Sequence, residues 1–292
     1  MAIAARDYRD RLFTFIFGSE ENREWTLSLY NAVNGTDYDD PSKLEISTIR
    51  EVVYMGMHND VSFFIGNELH LNEQQSTYNP NMPMRHAQYY CLMLESYCER
   101  HQYDKYGKTL IPLPPPHFVT LYNGEKDCPD DIILHLSDSF PKGTVADMEV
   151  TVRMININYG HNAELMKKCR PLSEYAWLVE AVRWRAKVMD IKTAVDAVIN
   201  DLPVDFILGP FLRMHKLEVG TMLLTEYDEV KHHELIYASG VRDGKEEGET
   251  KGLVRSLIGI MQKLKLSFEQ AASVLSIPAE EYPKYREAIA KM

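Results

Sequence analysis

Asp60, Glu73 and Gln75 are the residues of this 292-residue chain whose types and spacing point most directly to chemistry. Asp60 immediately precedes one short run of strand-forming residues, Val61 to Ile65, and Glu73 lies within a second, Leu69 to Gln75, with Gly66-Asn67 at the turn between them. A two-residue Gly-Asn loop is a hairpin turn, and it fixes register because the residues flanking it face each other. Ile65 then opposes Glu68, and counting outward brings Asp60 opposite Glu73, with Gln75 two positions further along the same face. Directly opposed residues have Cβ atoms about 4.5–5.5 Å apart. Two carboxylates about 5 Å apart repel by about 3 kcal/mol at an effective dielectric of about 20. Either one of them is protonated or a cation lies between them. Hard oxygen donors select Mg²⁺ or Mn²⁺. The same pair of residue types also occurs where one ends a turn and the other faces solvent. Phe64, Leu69 and Leu71 share the face in question, however, and put the pair at the rim of a core.

Other side chains are candidates for supporting roles. Arg85 and Tyr89 lie four apart on one face of the helix expected after the hairpin. They suit either a clamp on a phosphate or a structural pairing, Arg85 with a site carboxylate and Tyr89 in the core. His117 and His135 flank extended segments and read as surface histidines. The stretch Ile155 to Asn162, with Asn156, Asn158 and Asn162, reads as a hydrogen-bonded strand edge or turn near the site, with His161 more structural than catalytic. Cys91, Cys98, Cys128 and Cys169 form no CxxC pair, so they read as reduced core thiols rather than a zinc site.

The elements that must position these residues follow from periodicity. Asp7 to Phe17 and Asn22 to Asn31 have helical patterns separated by Gly18-Ser19. Ile46 to Met57 reads as a strand leading into the hairpin. Met84 to His101 contains no Gly or Pro and reads as a long helix, and the prolines between Ile111 and Pro116 force extended chain into a strand at Phe118 to Tyr122. A helix followed by a returning strand is a crossover unit. A further strand is expected within Asp147 to Ile157. From Ala163 to about Tyr237 the chain reads as helical, with breaks near Pro171, Pro203 and Gly209-Pro210. Gly240 to Gly252 is Gly-rich and polar, suited to a linker or to a helix extending into the last elements. Those elements are Leu253 to Leu264, Ser267 to Leu275 with Ser267 as N-cap, and Ala279 to Lys291. Gly244, Gly248 and Gly252 recur every four residues, a strip that would permit close helix contact or act as a hinge.

Composition sets the outer limits. A hydrophobic share of 45% with 26% charged residues is that of a folded globular protein. No apolar run approaches the roughly 20 residues a bilayer span needs. The opening residues place charges where a signal peptide needs apolar ones, so a cytoplasmic location without membrane insertion is expected. The net charge of −11 weighs against nucleic-acid binding, which depends on Lys and Arg. A locally basic groove on an acidic protein is still compatible with it.

The succession Asn59-Asp60-Val61-Ser62-Phe63, Glu73-Gln74-Gln75-Ser76-Thr77, then Asn79-Pro80-Asn81-Met82-Pro83-Met84-Arg85 and the helix bearing Tyr89 and Tyr90 resembles the bacterial PD-(D/E)XK nuclease family transposases, relatives of the recombination-promoting nucleases. Leu29-Tyr30-Asn31-Ala32, Asn34-Gly35-Thr36, Tyr122-Asn123-Gly124 and Ile155 to Asn162 extend the similarity over most of the chain. The resemblance implies an α/β fold with a restriction-endonuclease-like core, a mixed central sheet flanked by helices, and a mainly helical C-terminal half. It implies that Asp60 and Glu73 bind Mg²⁺ with the main-chain carbonyl of Gln74, and that Asp10 is a further ligand through water. Gln75 takes the position where the wider superfamily has Lys. It can orient a water but brings no positive charge, so the metal carries more of the work.

The expectation is therefore a nuclease core at 1–162, a helical extension packed on or completing it at 163–240, and a Gly-rich linker or helix with a small helical module at 241–292. The expected activity is Mg²⁺- or Mn²⁺-dependent DNA endonuclease, with Asp60, Glu73 and Gln75 catalytic and Arg85 and Tyr89 against the phosphate. By resemblance it is associated with transposition, recombination or mobile-element defence, with a homodimer through the C-terminal helices. The alternative is a catalytically weak or inactive nuclease-fold protein that acts as an interaction or regulatory module through those helices.

Overall fold

The computed structural model of the protein describes residues 12–46 and 61–290. Asp10, Asp60 and all but the first residue of the strand expected at Ile46 to Met57 lie outside the described residues. The chain forms two compact units, one up to Asp228 and one from Glu229. Among the described residues no helix is long and apolar enough to cross a membrane.

The first unit is a mixed α/β structure. Two helices, α1 (Leu12–Phe17) and α2 (Arg23–Asn34), precede the strands β1 (Glu45–Ile46), β2 (Val61–Ile65) and β3 (Glu68–Gln75). A helix, α3 (Met82–Arg100), then crosses to β4 (Pro116–Tyr122), followed by β5 (Asp131–His135) and β6 (Thr151–Asn156). The six strands form one sheet in the order β1-β2-β3-β4-β6-β5. The β1-β2, β2-β3 and β5-β6 pairs are antiparallel, whereas β3-β4 and β4-β6 are parallel. Parallel neighbours require a crossover connection, and α3 supplies it between β3 and β4.

The hairpin has the register expected from its loop. Gly66 and Asn67 take φ values of +56° and +65°, the two positive angles of a type I′ turn. Pairing runs from Ile65↔Glu68 to Val61↔Asn72 without slippage. Strand alternation then sorts the side chains. Val61, Phe63, Ile65, Val119, Leu121 and Ile155 face α1, α2 and the later helices in one large core. Leu69 and Leu71 turn the other way, against Tyr89 and Met93 of α3. Met82, His86, Tyr89 and Met93 recur at the helical interval that makes one buried stripe along α3.

The strand expected within Asp147 to Ile157 is β6. β5 was not foreseen. It is a short strand at the sheet edge whose inward residues, Ile132 and Leu134, alternate with outward ones, but the outward Ile133 is itself apolar, so the sequence shows a run rather than the alternation that marks a strand. The helices α4 (Ala163–Lys168), α5 (Arg170–Ala186), α6 (Ile191–Asn200) and α7 (Gly209–Met214) break near Pro171, Pro203 and Gly209-Pro210 as expected, and also after Ala186 and after Met214, where neither proline nor glycine marks the stop. Leu172, Tyr175, Leu178, Val195, Val198 and Leu212 join the same core as the sheet. Glu174, buried on α5, accepts hydrogen bonds from the backbone N–H of Ile207 at 3.0 Å and Leu208 at 2.8 Å, which anchors the loop before α7.

The segment 240–252 lies inside a continuous helix, α8 (Lys216–Leu264). Glycine costs a helix about 1 kcal/mol per residue relative to Ala, and helix-compatible neighbours offset this. In the second unit, α8 ends against α9 (Phe268–Val274) and α10 (Tyr282–Ala290) around Val254, Leu257, Ala271, Ala272, Ile277 and Tyr285. Ser267 caps α9 in a reciprocal box: its Oγ accepts from Gln270 N–H at 3.3 Å, and Gln270 Oε1 accepts from Ser267 N–H at 2.9 Å.

Candidate functional site

The strand β3 is central and buried, yet all of its residues but Leu69 and Leu71 are polar. His70, Asn72, Glu73, Gln74 and Gln75 are all buried. Burying a polar group without a partner costs free energy and brings no packing advantage over Leu or Val. The polar C-terminal half of this strand therefore marks a site.

Glu73 is its centre. The residue is only 1% exposed and points to the α3 side of the sheet, continuing the face of Leu69 and Leu71. Its Oε1 accepts from Arg85 Nη2 at 2.5 Å, from Gln75 Nε2 at 3.1 Å and from the Tyr89 hydroxyl at 3.5 Å. Arg85 also donates to Gln75 Oε1 at 3.3 Å and to the Tyr89 hydroxyl at 2.8 Å, with its guanidinium 5.8 Å from the Tyr89 ring centroid. Glu73 and Gln75 come from one strand face and Arg85 and Tyr89 from one helix face, so the sheet-on-helix packing assembles all four.

Sequence reasoning selected these four residues, and their spacing along strand and helix was the signal. It did not decide between the two roles open to Arg85 and Tyr89. In this structure Arg85 pairs with Glu73, and Tyr89 is buried with its hydroxyl inside the network. The pairing brings a cation to Gln75. Asp60 and Asp10 lie outside the described residues, so the structure reports on one carboxylate of the expected set.

Gln74 turns to the opposite face. Its Nε2 donates to Asn123 Oδ1 at 2.5 Å, and Asn123 Nδ2 donates to the Tyr175 hydroxyl at 3.1 Å. Gly124 follows in a tight place, where a Cβ would meet the Ser76 carbonyl oxygen at 2.3 Å. The ends of β3 and β4 are thus locked together just past Gln75, and the Asn123 N–H adds a 3.0 Å bond to the Gln75 carbonyl.

The Asn-rich stretch holds the turn after β6. Asn156 Oδ1 accepts from the Asn158 N–H at 3.0 Å, Asn158 Nδ2 donates to the Gly124 carbonyl at 2.9 Å, and Asn162 Nδ2 donates to the Asn156 carbonyl at 2.8 Å. His161 Nδ1 sits 2.7 Å from Asp130 Oδ1, and that hydrogen bond holds the Asp130 carboxyl below its ordinary range. Beside this turn is a cavity of about 410 Å³ whose charged lining is mixed, with Lys126, Arg183 and Lys187 set against Glu125, Asp127 and Glu180. His135 is exposed at the end of β5.

Two further features escaped sequence reasoning. His86, fully buried one residue beyond Arg85, places Nε2 3.2 Å from Thr120 Oγ1. Burial, with the Arg85 charge adding to it, pushes its pKa down to about 3. On the other face of β3, Glu68 and His70 meet His117 of β4. This grouping depends on the parallel register of strands that lie far apart in sequence.

No family model matches the chain, and neither a curated protein nor a solved structure matches it.

Proposed function

We propose that this chain is a Mg²⁺- or Mn²⁺-dependent DNA endonuclease with a restriction-endonuclease-like core. The observation that carries the reading is the buried Glu73 carboxylate at the end of a parallel strand, with Gln75 and Arg85 on its Oε1. The order of helix, antiparallel strands, crossover helix and parallel strand supports it.

In this reading Asp60, Glu73 and the main-chain carbonyl of Gln74 hold the ion, with Asp10 contributing through water. All of these donors are oxygens, as Mg²⁺ and Mn²⁺ require. The ion supplies Lewis-acid stabilisation of the phosphate and makes water a better nucleophile near neutral pH. Gln75 orients the attacking water through its carboxamide. Arg85 provides the positive charge that Gln75 lacks, and its bidentate fork suits a phosphate oxygen as well as a carboxylate. Tyr89 holds the guanidinium in place. A homodimer through the C-terminal helices would present two such sites to a duplex.

A non-enzymatic reading, an interaction module acting through the C-terminal helices, is favoured by a different observation. The Arg85 guanidinium already neutralises Glu73, and the charges lining the cavity at the ends of β4 and β6 balance.

Incubation of supercoiled DNA with the purified full chain separates the two. Nicking that needs Mg²⁺ or Mn²⁺, stops with chelator and is lost in Asp60→Ala and Glu73→Gln is the expected result. Equal nicking by both substituted proteins overturns the assignment, and no nicking by the unsubstituted protein leaves the non-enzymatic reading.

A further inference from the structure

The register of the sheet brings a second set of ligand-type side chains together on the face of β3 opposite Glu73. His70 of β3 pairs with His117 of β4, and Glu68, two residues before His70, points to the same side. The two imidazoles stack with centroids 4.6 Å apart and planes 12° from parallel. Glu68 Oε2 lies 3.4 Å from His70 Nε2 and 3.3 Å from His117 Nε2. All three ligand atoms fall within 4.8 Å of one another.

These lengths are those of a coordination site. In a tetrahedral Zn²⁺ centre with bonds of about 2.0–2.1 Å, ligand atoms are about 3.3 Å apart. Both carboxylate-to-imidazole edges already have that length. Only the edge between the imidazoles has to match it, and the His117 side chain, 45% exposed, has room to rotate. His70 is fixed: its ring stacks on Phe63 at 5.5 Å and meets Tyr30 edge-on at 4.8 Å.

A second observation points to a ligand. The Nε2 of His70, on a side chain only 4% exposed, makes no hydrogen bond among the described residues. It faces the Glu68 carboxylate without hydrogen-bonding geometry. With the Glu68 carboxylate only a loose neighbour at 3.4 Å, burial of this nitrogen without a well-formed hydrogen bond is unfavourable. A cation shared with Glu68 and His117 would satisfy it.

We propose that Glu68, His70 and His117 form a binding site for a Zn²⁺-class transition-metal ion, independent of the nuclease reading. Two imidazoles and one carboxylate select Zn²⁺ or Co²⁺ over Mg²⁺, which prefers oxygen alone. Glu68 and His117 are each nearly half exposed, so the ion enters from solvent and completes its shell with water. The site joins β3 to β4 immediately after the hairpin turn, and a bound ion clamps that end of the sheet.

The test uses the unsubstituted full chain, stripped with chelator and held in excess Mg²⁺ so that oxygen donors on the opposite face do not compete for the probe ion. Titration with Co²⁺ is expected to give the visible d–d bands of a tetrahedral site at one ion per chain, displaced by Zn²⁺ and untouched by Mg²⁺. Loss of an outer-shell partner alone costs a metal site about 10–100-fold in affinity. His117→Ala and Glu68→Gln, both at half-exposed positions, are therefore each expected to weaken binding by at least about tenfold while the circular dichroism spectrum is unchanged. Absence of the bands, or the same affinity in both variants, overturns the proposal.

Discussion

Arg85 Nη2 lies 2.5 Å from Glu73 Oε1, with the carboxylate 1% and the guanidinium side chain 29% exposed. The pair links the strand that carries the candidate site to the helix that covers it. An ion pair this deep is expensive to assemble, because both charges lose hydration. Leu69 and Leu71 show that the same face of β3 packs well with apolar residues, so the polar end of the strand is retained for chemistry or for its specific geometry.

The first prediction concerns stability. Removing one partner of a buried pair costs about 3–5 kcal/mol, whereas replacing both by apolar residues is often close to neutral. Arg85→Met should therefore destabilise strongly in urea unfolding. Adding Glu73→Met should recover much of the loss, leaving a coupling energy of about 1–3 kcal/mol across the cycle. Additive losses would show that the two side chains contribute separately.

The second prediction concerns activity under the nuclease reading. Arg85 replaces the missing motif Lys in charge but not in position along the chain. Arg85→Lys should keep measurable nicking because the charge survives. Arg85→Gln should lower kcat by about 10²–10³-fold, the usual cost of a lost transition-state donor, with a smaller change in KM. A pure rise in KM would make Arg85 a ground-state DNA contact.

A third prediction follows from His86. Its folded pKa of about 3 lies below the ordinary 6.5, so the unfolded chain takes up a proton that the folded chain refuses. Stability from this group is fully present above pH 6.5 and falls as pH drops towards 3, by up to about 1.4 kcal/mol per unit. Arg85 and Tyr89 of α3 and Thr120 and Phe118 of β4 surround the ring, so no carboxylate is among these neighbours to support its protonated form. His70, lowered to about 4 chiefly by burial, acts in the same direction. His86→Gln should flatten the loss of stability between pH 6.5 and 4.5 by about 2–3 kcal/mol. An unchanged slope in chemical denaturation across that window would rule out His86 as its source.

The parts of the fold legible in the sequence were those set by local rules. Gly66-Asn67 dictated its own turn, the turn dictated the β2-β3 register, and the prolines before Phe118 dictated an extended return after α3. A site carboxylate was one of two partners the sequence offered Arg85, and the choice was not legible, because helix spacing says which face it shares with Tyr89 but not which strand residue that face meets. The grouping of Glu68, His70 and His117 depended on parallel register, which no turn encodes. β5 was hidden because the exposed Ile133 between the inward Ile132 and Leu134 masks their alternation, and α8 because Gly-rich charged sequence satisfies both linker and helix rules.

The fourth prediction tests the turn. Among the described residues a side chain at Gly66 would meet only the Tyr38 hydroxyl, at 3.6 Å, an ordinary contact, so the cost of substitution comes from its φ of +56°. The left-handed region costs an L residue about 1–2 kcal/mol. Gly66→Ala should destabilise by that amount, while Asn67→Gly, which relaxes the neighbouring position, should be neutral or slightly stabilising. Thermal unfolding of the two variants side by side would detect the opposite signs, and equal losses would remove the type I′ turn as the device that sets the register.

The glycines of α8 provide the last prediction. Gly248 and Gly252 are exposed, and a Cβ at either meets nothing within 4 Å among the described residues. Within one chain their only effect is then the backbone entropy they concede, about 0.5–1 kcal/mol each relative to Ala. If that is their whole role, Gly248→Ala and Gly252→Ala raise the Tm and leave the sedimentation coefficient unchanged. If instead the strip is where two copies pack through their C-terminal helices, the added methyl groups keep the backbones apart. The same substitutions then lower the Tm and shift sedimentation towards the monomer. The two measurements together assign the strip to helix flexibility or to dimerisation.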